Sequence, residues 1–220
     1  MKKFWLLFAL LIGPLLLYLM VSTGKNKFRY LPILQQNVVD IKTLEPKQNI
    51  QFKDKITILC FFGEDLLIHK TNALNLNEKI YKRNLEFVDF QFVIVLPNGS
   101  EENTEVLKKE LAFTTDIRNW KFVFTSKESL QLLFNSLQTN LVLDEKLYSS
   151  KAFIIDKDGY LRGRNKDEDI PNGLLYGYNT EVVSEIHQKM IDDVKILLAE
   201  YRLALKKNKK KSVFKNPYKN

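Results

Sequence analysis

Cysteine is almost absent from this chain: Cys60 is the only one among 220 residues. One cysteine cannot form a disulfide within the chain, and it cannot supply both thiols of a dithiol exchange mechanism. Histidine is nearly as scarce, with only His69 and His187. The sequence also has no zinc-finger spacing and no aromatic-rich nucleotide platform, so it gives no support for binding DNA or RNA.

Charge is missing from one long run at the amino terminus. Residues 4–21 form eighteen positions without a charged side chain, preceded by Lys2 and Lys3. At about 1.5 Å per helical residue this run covers roughly 27 Å, close to the hydrocarbon core of a bilayer at about 30 Å. No small-x-small cleavage pair follows it, so an uncleaved transmembrane signal-anchor at residues 1–23 is favoured over a cleavable signal peptide.

The orientation across the membrane depends on the short tail before this run. Lysines flank the run on both sides, so the positive-inside rule does not decide the topology. A tail this short favours a signal-anchor whose amino terminus stays in the cytoplasm. We therefore expect a single-pass protein of the cell membrane, with its domain on the extracytoplasmic, periplasmic side.

The net charge of +8 is concentrated at the other end of the chain. The basic carboxyl-terminal tail, residues 206–220, contains Lys206, Lys207, Lys209, Lys210, Lys211, Lys215 and Lys219. Charge runs at chain ends are commonly solvated and frayed, which is the simpler interpretation. Contact with anionic lipid head groups beside the anchor is the alternative.

The pattern between these two ends predicts an α/β domain. Residues 24–54 read as a linker that becomes one or two strands, and 55–62 as a strand buried on both faces. Residues 66–86 then have apolar positions at helical spacing. The remaining predicted elements are a strand at 87–96, a helix at 104–111, a strand at 120–124, a helix at 127–137, a hairpin of 151–155 and 160–163, and a helix at 180–206. This order indicates a mixed sheet with helices on both faces.

Four segments of this pattern resemble the Sco/SenC family. They are 55–63, ending in Phe-Phe-Gly; 93–111, a strand, loop and Thr-x-x-Val/Leu helix; 120–137; and 152–163, with an Asp-x-Asp-Gly hairpin. The resemblance implies a thioredoxin-like three-layer fold at 55–205, behind one membrane anchor. It also implies a link to copper delivery, thiol redox chemistry and the assembly of cytochrome oxidase.

The ligands of that family are missing from the matching positions. The resemblance places the Cys-x-x-x-Cys pair at Leu67 and Thr71 and the histidine at Tyr148. Copper(I) prefers thiolate, thioether and imidazole donors, so these three side chains offer no good copper site and no thiol exchange. Residues 100–170 contain no proline, so the cis-proline that faces the redox turn of ordinary thioredoxins is missing too. We expect no metal or cofactor.

Three interpretations of function remain open. The missing ligands favour a non-catalytic protein that binds a protein partner, linked to the assembly of a respiratory oxidase. Cys60 or His69 could instead support a residual thiol or peroxide redox enzyme or a metal site, although a buried thiol and a surface histidine are the simpler interpretations. The third interpretation is a structural protein of the cell envelope.

Overall fold

The apolar runs of the sequence form the strands of one mixed β-sheet. A computed structural model describes residues 2–22 and 30–214, although some side chains within these ranges, including those of 205–214, lie outside the description. The helices and strands are α1 (Lys2–Ser22), β1 (Ile33–Gln35), α2 (Ile41–Leu44), β2 (Ile56–Phe62), α3 (Lys70–Leu76), β3 (Phe90–Pro97), α4 (Glu101–Thr114), β4 (Trp120–Thr125), α5 (Lys127–Ser136), β5 (Tyr148–Ile155), β6 (Leu161–Arg162), β7 (Tyr178–Asn179), α6 (Val183–Glu185) and α7 (Ile191–Phe214).

Strand β2 lies in the middle of the sheet, and all of its residues are buried. It pairs in parallel with β3 and antiparallel with β5. The order across the sheet is β1-β6-β5-β2-β3-β4, with β7 also paired to β5. A parallel β-α-β half, followed by an antiparallel hairpin and a covering helix, is a thioredoxin-like arrangement. The predicted fold is therefore confirmed by the strand order.

Side chains of β2 alternate between two hydrophobic cores, as the period of a strand requires. Ile58 and Cys60 belong to the core that includes residues of α3, α4 and α7. Leu59 and Phe61 belong to the core that includes residues of α2 and α5. The sheet is thus covered by helices on both faces, which confirms the predicted three layers.

The segment before β2 differs from its prediction. Residues 33–35 form a strand, but Ile41 begins the short helix α2 where a second strand was one of the expectations. The carboxylate of Asp40 is the physical reason. It caps α2 by accepting the backbone N–H of Lys42 at 3.0 Å, and it also accepts the N–H of Phe52 at 3.1 Å. This side chain satisfies helix donors that a strand would not present.

The predicted helix at 66–86 is shorter and less regular than its pattern suggests. Residues 66–69 form turns, and α3 begins at Lys70. After Leu76 the chain continues as a π-helical turn at Asn77–Tyr81 and a 3-10 turn at Lys82–Asn84. The apolar period predicted most of the buried face, but Ile68 is exposed. The late start of α3 leaves His69 in the loop that follows β2.

The two chain ends are only partly described. Residues 2–22 form helix α1, which contains Pro14. In the described part of the chain, no helix is both long and apolar enough to span a bilayer. Residues 215–220 of the basic tail, and the side chains of 205–214, lie outside the described residues. The signal-anchor and the lipid contact of the tail stay predictions.

A buried ion network fixes the point where the chain enters the domain. Arg162 of β6 donates to Asp156 Oδ2 at 2.8 Å, to Glu200 Oε2 at 2.6 Å and to the carbonyl of Leu31 at 2.8 Å. Glu200 Oε1 accepts the backbone N–H of Leu31 at 2.6 Å. Because the three charged side chains are at most 11% exposed, each depends on the others for compensation of its charge.

The side chain of Gln48 covers the outer edge of β4. Its amide donates to the carbonyl of Phe124 at 2.7 Å and accepts the N–H of the same residue at 3.4 Å, as a neighbouring strand would. Exposed strand edges favour pairing between molecules. Gln48→Ala is therefore expected to cost about 1 kcal/mol of unfolding free energy and to speed aggregation. Urea unfolding and light scattering at 37 °C measure the two effects.

Gln131→Ala is the matched control for Gln48, because Gln131 bonds only to Asn135 on the exposed face of α5. We expect it to change neither stability nor aggregation. Equal aggregation of the two variants would show that Gln48 does not protect this edge.

Candidate functional site

The candidate site lies at the carboxyl end of β2, where thioredoxin-like proteins carry their reactive groups. Gly63 follows β2 with a φ of 64°, a backbone conformation that favours glycine. A Cβ atom on Gly63 would lie 2.3 Å from the carbonyl oxygen of Lys146 and 2.9 Å from the backbone nitrogen of Tyr148. The backbone N–H of Glu64 donates to the same Lys146 carbonyl at 2.9 Å. This close approach brings the start of β5 against the turn after β2.

Four side chains meet at this turn, and we call them the Tyr148 cluster: His69, Asn72, Tyr148 and Glu181. The phenol of Tyr148 donates to Glu181 Oε1 at 2.7 Å and accepts from Asn72 Nδ2 at 2.7 Å. The imidazole of His69 stacks on the Tyr148 ring with 3.5 Å between centroids and 7° between planes. The hydrogen-bonding capacity of the phenol oxygen is therefore used inside the protein.

The cluster keeps Tyr148 protonated. Burial raises the pKa of the phenol well above its ordinary value, and the hydrogen bond to Glu181 and that residue's negative charge raise the pKa further. A neutral phenol that donates to a carboxylate is a poor metal ligand and a poor nucleophile. The geometry therefore favours a structural contact over a reactive group.

Leu67, Thr71 and Tyr148, the positions that the resemblance predicts for metal ligands, do not offer the donors of a soft-metal site. Leu67 is half-buried in the turn, and Thr71 is exposed on the first turn of α3. The ring and hydrogen-bond contacts of Tyr148 come instead from His69 and Asn72. A carbon side chain, an alcohol and an engaged phenol do not fit copper(I). In the part of the chain that the structure describes, no three His, Cys, Asp or Glu side chains gather as metal ligands.

Cys60 is inside the protein. Its side chain is fully buried in β2, opposite Ala152 of β5 and Ile94 of β3. Burial raises the pKa of the thiol far above its ordinary value, so the reactive thiolate is disfavoured. A redox role for Cys60 would require the strand to open.

The other residues singled out in the sequence have simple structural roles. His187 is exposed on the turn before α7. Two acidic residues that could suggest a calcium loop are paired with cations: Asp156 with Arg162 at 2.8 Å, and Asp167 with Lys189 at 2.6 Å. Carboxylates committed to such pairs are poor calcium ligands.

Ion pairs surround the turn on its solvent side. Glu64 accepts from Lys127 at 2.6 Å and lies 3.6 Å from Lys146. The hydrogen bond from Lys127 lowers the pKa of Glu64. Exposed pairs of this kind contribute little stability. Beside them Ile68 is 75% exposed, an apolar side chain of the turn with most of its surface in solvent.

Two members of the Tyr148 cluster carry no signal in the sequence. Asn72 is one polar residue among several in α3, and Glu181 lies 33 residues after Tyr148. Only the pairing of β7 with β5 brings Glu181 to this end of the sheet. Pattern analysis finds residues that are close in sequence or repeat with a period, and neither condition applies here.

The buried thiol and phenols predict a loss of stability at high pH. Burial raises the pKa values of Cys60 and Tyr178, so the unfolded chain releases these protons first as pH rises. The free energy of unfolding should therefore have its full value below about pH 8. Above that pH it should fall by up to about 1.4 kcal/mol per pH unit for each group. Urea unfolding between pH 8 and pH 10.5 measures the slope.

Cys60→Ala tests this assignment. The variant loses one buried acid, so its stability should fall less steeply between pH 9 and pH 10 than that of the unchanged chain. Parallel curves for the two proteins would show that the thiol does not contribute to the pH dependence.

Fold and site together define a thioredoxin-like domain whose redox turn has no thiol. No protein-family model and no curated protein sequence matches the chain. Its structure is similar to an SCO1/SenC family lipoprotein from Bacillus anthracis, with 18% identity, a TM-score of 0.47, and 80% of this chain and 98% of that chain covered. It is also similar to BsSco, a member of the Sco family of cytochrome c oxidase assembly proteins, with 14% identity, a TM-score of 0.48, and 74% and 92% covered.

Another similar structure is the thioredoxin domain of a thiol-disulfide oxidoreductase from Bacteroides vulgatus. It has 14% identity and a TM-score of 0.37, and 64% of this chain and 89% of that domain are covered. The thioredoxin-like fold of the chain is established by its own strand order.

Proposed function

We propose that this chain is a membrane-anchored, Sco/SenC-like protein that acts without copper or thiol chemistry. It would be a non-catalytic binding or assembly factor in the biogenesis of a respiratory oxidase. The observation that carries the proposal is the Tyr148 cluster, which fills the position of the reactive site with a stacked ring and closed hydrogen bonds. A protein that keeps the scaffold but has no donor set can still present a surface to a partner.

The sequence supports an attachment to the membrane. The uncharged run at 4–21 is long enough for a signal-anchor, and the folded domain begins at a segment tied to α7 through Leu31 and Glu200. The domain would then lie on the extracytoplasmic side. The lysine-rich tail at 206–220 begins within the last turns of α7 and would add contact with anionic lipid.

The turn after β2 is the surface that we assign to the protein partner. Ile68 projects its apolar side chain beside the Tyr148 cluster, and Val182 next to Glu181 is 41% exposed. The Tyr148 cluster and the close backbone contact at Gly63 hold this turn in one conformation. A rigid surface with exposed apolar side chains binds partners at a lower ordering cost.

Complementation in the source organism tests the proposal. Deleting the gene should lower the amount of assembled oxidase, measured by haem absorbance and oxygen consumption of isolated membranes. Cys60→Ala should restore assembly, because the thiol is not used. Ile68→Asp should fail to restore it, because a charge is placed on the partner surface while the core is unchanged.

Val142→Asp is the matched control for Ile68→Asp. Val142 is 83% exposed in the segment between α5 and β5, outside the turn after β2, so this variant should restore assembly. Normal assembly without the gene would contradict the proposal. Failure of Cys60→Ala at wild-type protein levels would favour the residual redox enzyme instead.

Copper binding separates the proposal from the metal-site alternative. The full chain in detergent should compete for copper(I) with a chromophoric chelator no better than a His69→Ala variant does. Tight stoichiometric binding that His69→Ala or Cys60→Ala removes would contradict the proposal.

A purely structural envelope role would leave both Ile68→Asp and the gene deletion without effect on the oxidase.

A further inference from the structure

A small polar cavity lies at the opposite end of the sheet from the Tyr148 cluster. Its volume is about 260 Å³, and it is at the amino ends of the parallel strands β2, β3 and β4. The polar residues that line it include Asn49, Lys55, Gln91, Asn119 and Lys121. Among the described residues, no Asp or Glu lines the cavity. Two cations and several amides without an acid make an environment that favours an anion.

Gln91 gives this cavity a fixed acceptor. The residue is 7% exposed, and its amide nitrogen donates to the carbonyl of Gln51 and to Thr57 Oγ1, both at 2.9 Å. Both amide hydrogens are therefore used, and the orientation of the amide is set. The Oε1 atom of Gln91 can still accept a hydrogen bond, and the side chain that carries it lines the cavity.

The ammonium groups of the two lysines differ in whether a carboxylate already pairs with them. Lys55 Nζ lies 3.3 Å from Asp89 Oδ1 and 3.4 Å from the carbonyl of Val88, so part of its charge is shared with a carboxylate beside the cavity. Lys121 Nζ donates to the carbonyl of Arg118 at 2.7 Å, and within the described residues no carboxylate pairs with it. Lys121 therefore has an uncompensated charge and two remaining hydrogens.

We propose that this cavity binds a small oxyanion, a carboxylate or a phosphate, that also carries a hydroxyl or amine hydrogen. The oxyanion would accept from Lys121 and Lys55, and the hydroxyl or amine would donate to Gln91 Oε1. This site is independent of the partner surface at the Tyr148 cluster, because it lies at the other end of the strands. It adds a small-molecule ligand to a protein whose proposed function needs none.

Ligand-observed ³¹P NMR on the full chain in detergent tests the proposal. Inorganic phosphate and glycerol 3-phosphate are the probes, and line broadening against protein concentration gives their affinities. Glycerol 3-phosphate should bind more tightly than inorganic phosphate, because its carbon-bound hydroxyl groups can donate to Gln91 while all terminal phosphate oxygens stay available to the lysines. Displacement by L-malate would show that carboxylates occupy the same site.

Lys121→Gln should weaken binding of glycerol 3-phosphate by about fivefold, since one exposed charge-assisted hydrogen bond is lost. Lys195→Gln is the control, because Lys195 is exposed on α7 and pairs only with Asp192. The proposal is wrong if neither probe broadens in the presence of the protein, or if both variants bind like the unchanged chain. Equal affinity for the two probes would contradict the part of the proposal that gives the ligand a separate hydroxyl or amine group.

Discussion

Gly63→Ala is expected to destabilise the domain by about 3–5 kcal/mol. The added Cβ would lie 2.3 Å from the carbonyl oxygen of Lys146, so the start of β5 has to move away from the turn after β2. The positive φ of Gly63 adds strain for any other residue. Urea unfolding followed by circular dichroism measures the loss.

Gly99→Ala is the matched control for this substitution. Gly99 also has a positive φ, at 96°, but a Cβ there meets nothing within 4 Å. It should therefore cost only the conformational strain, about 1 kcal/mol. If the two variants lost equal stability, backbone strain alone would explain the requirement for Gly63. The close approach of β5 would then not contribute to the loss of unfolding free energy.

The same substitution should also disturb the Tyr148 cluster. Tyr148 follows Lys146 by two residues, so a shift of this segment changes the distance from its phenol to Glu181 and Asn72. Ultraviolet absorbance titration should then show a lower phenol pKa in Gly63→Ala than in the unchanged chain, because burial and the Glu181 contact both raise it. An unchanged titration curve would show that the cluster does not depend on the Gly63 turn.

Arg162→Ala is expected to cost about 3–5 kcal/mol, because it leaves Asp156 and Glu200 as buried charges without a cation. Urea unfolding of both proteins at pH 7 measures the difference.

Arg118→Ala is the control for this substitution, because Arg118 pairs with Asp116 in an exposed position. We expect its stability to stay close to that of the unchanged chain at pH 7, and an equal loss in the two arginine variants would contradict the role given to the buried ion network. Because the carbonyl of Leu31 accepts from Arg162, Arg162→Ala should also free the segment that leads into the domain. Faster proteolysis near Leu31 in folded Arg162→Ala would confirm this, and equal cleavage would exclude it.

The buried strands of the sheet were predictable because their burial requires apolar residues that are adjacent in the sequence. A strand covered on both faces reads as a continuous apolar run, which is the pattern of residues 55–62 and 87–96. The hairpin at 156–159 was predictable because Gly159 supplies the positive φ that the turn requires. These signals lie within a few residues of the structure that they specify.

Helix ends and the short segment before β2 were less predictable. The apolar period at 66–86 does not show that α3 begins at Lys70, since the turn before it also buries Leu66. Asp40 caps α2 and also holds Phe52, a contact between residues twelve positions apart. Such side-chain hydrogen bonds decide boundaries that composition leaves open.

The sequence by itself determined which chemistry is unavailable to this protein. Its single cysteine excludes a paired-thiol mechanism within the chain whatever the fold, because the second sulfur does not exist. It also indicated the order of the long buried strands and the main helices, because burial on each face imposes a period. Only the tertiary structure decided which side chains meet at the end of β2. His69, Asn72 and Glu181 meet Tyr148 because β5 and β7 pair at the end of β2, and pairing between distant strands follows from the packing of the whole sheet.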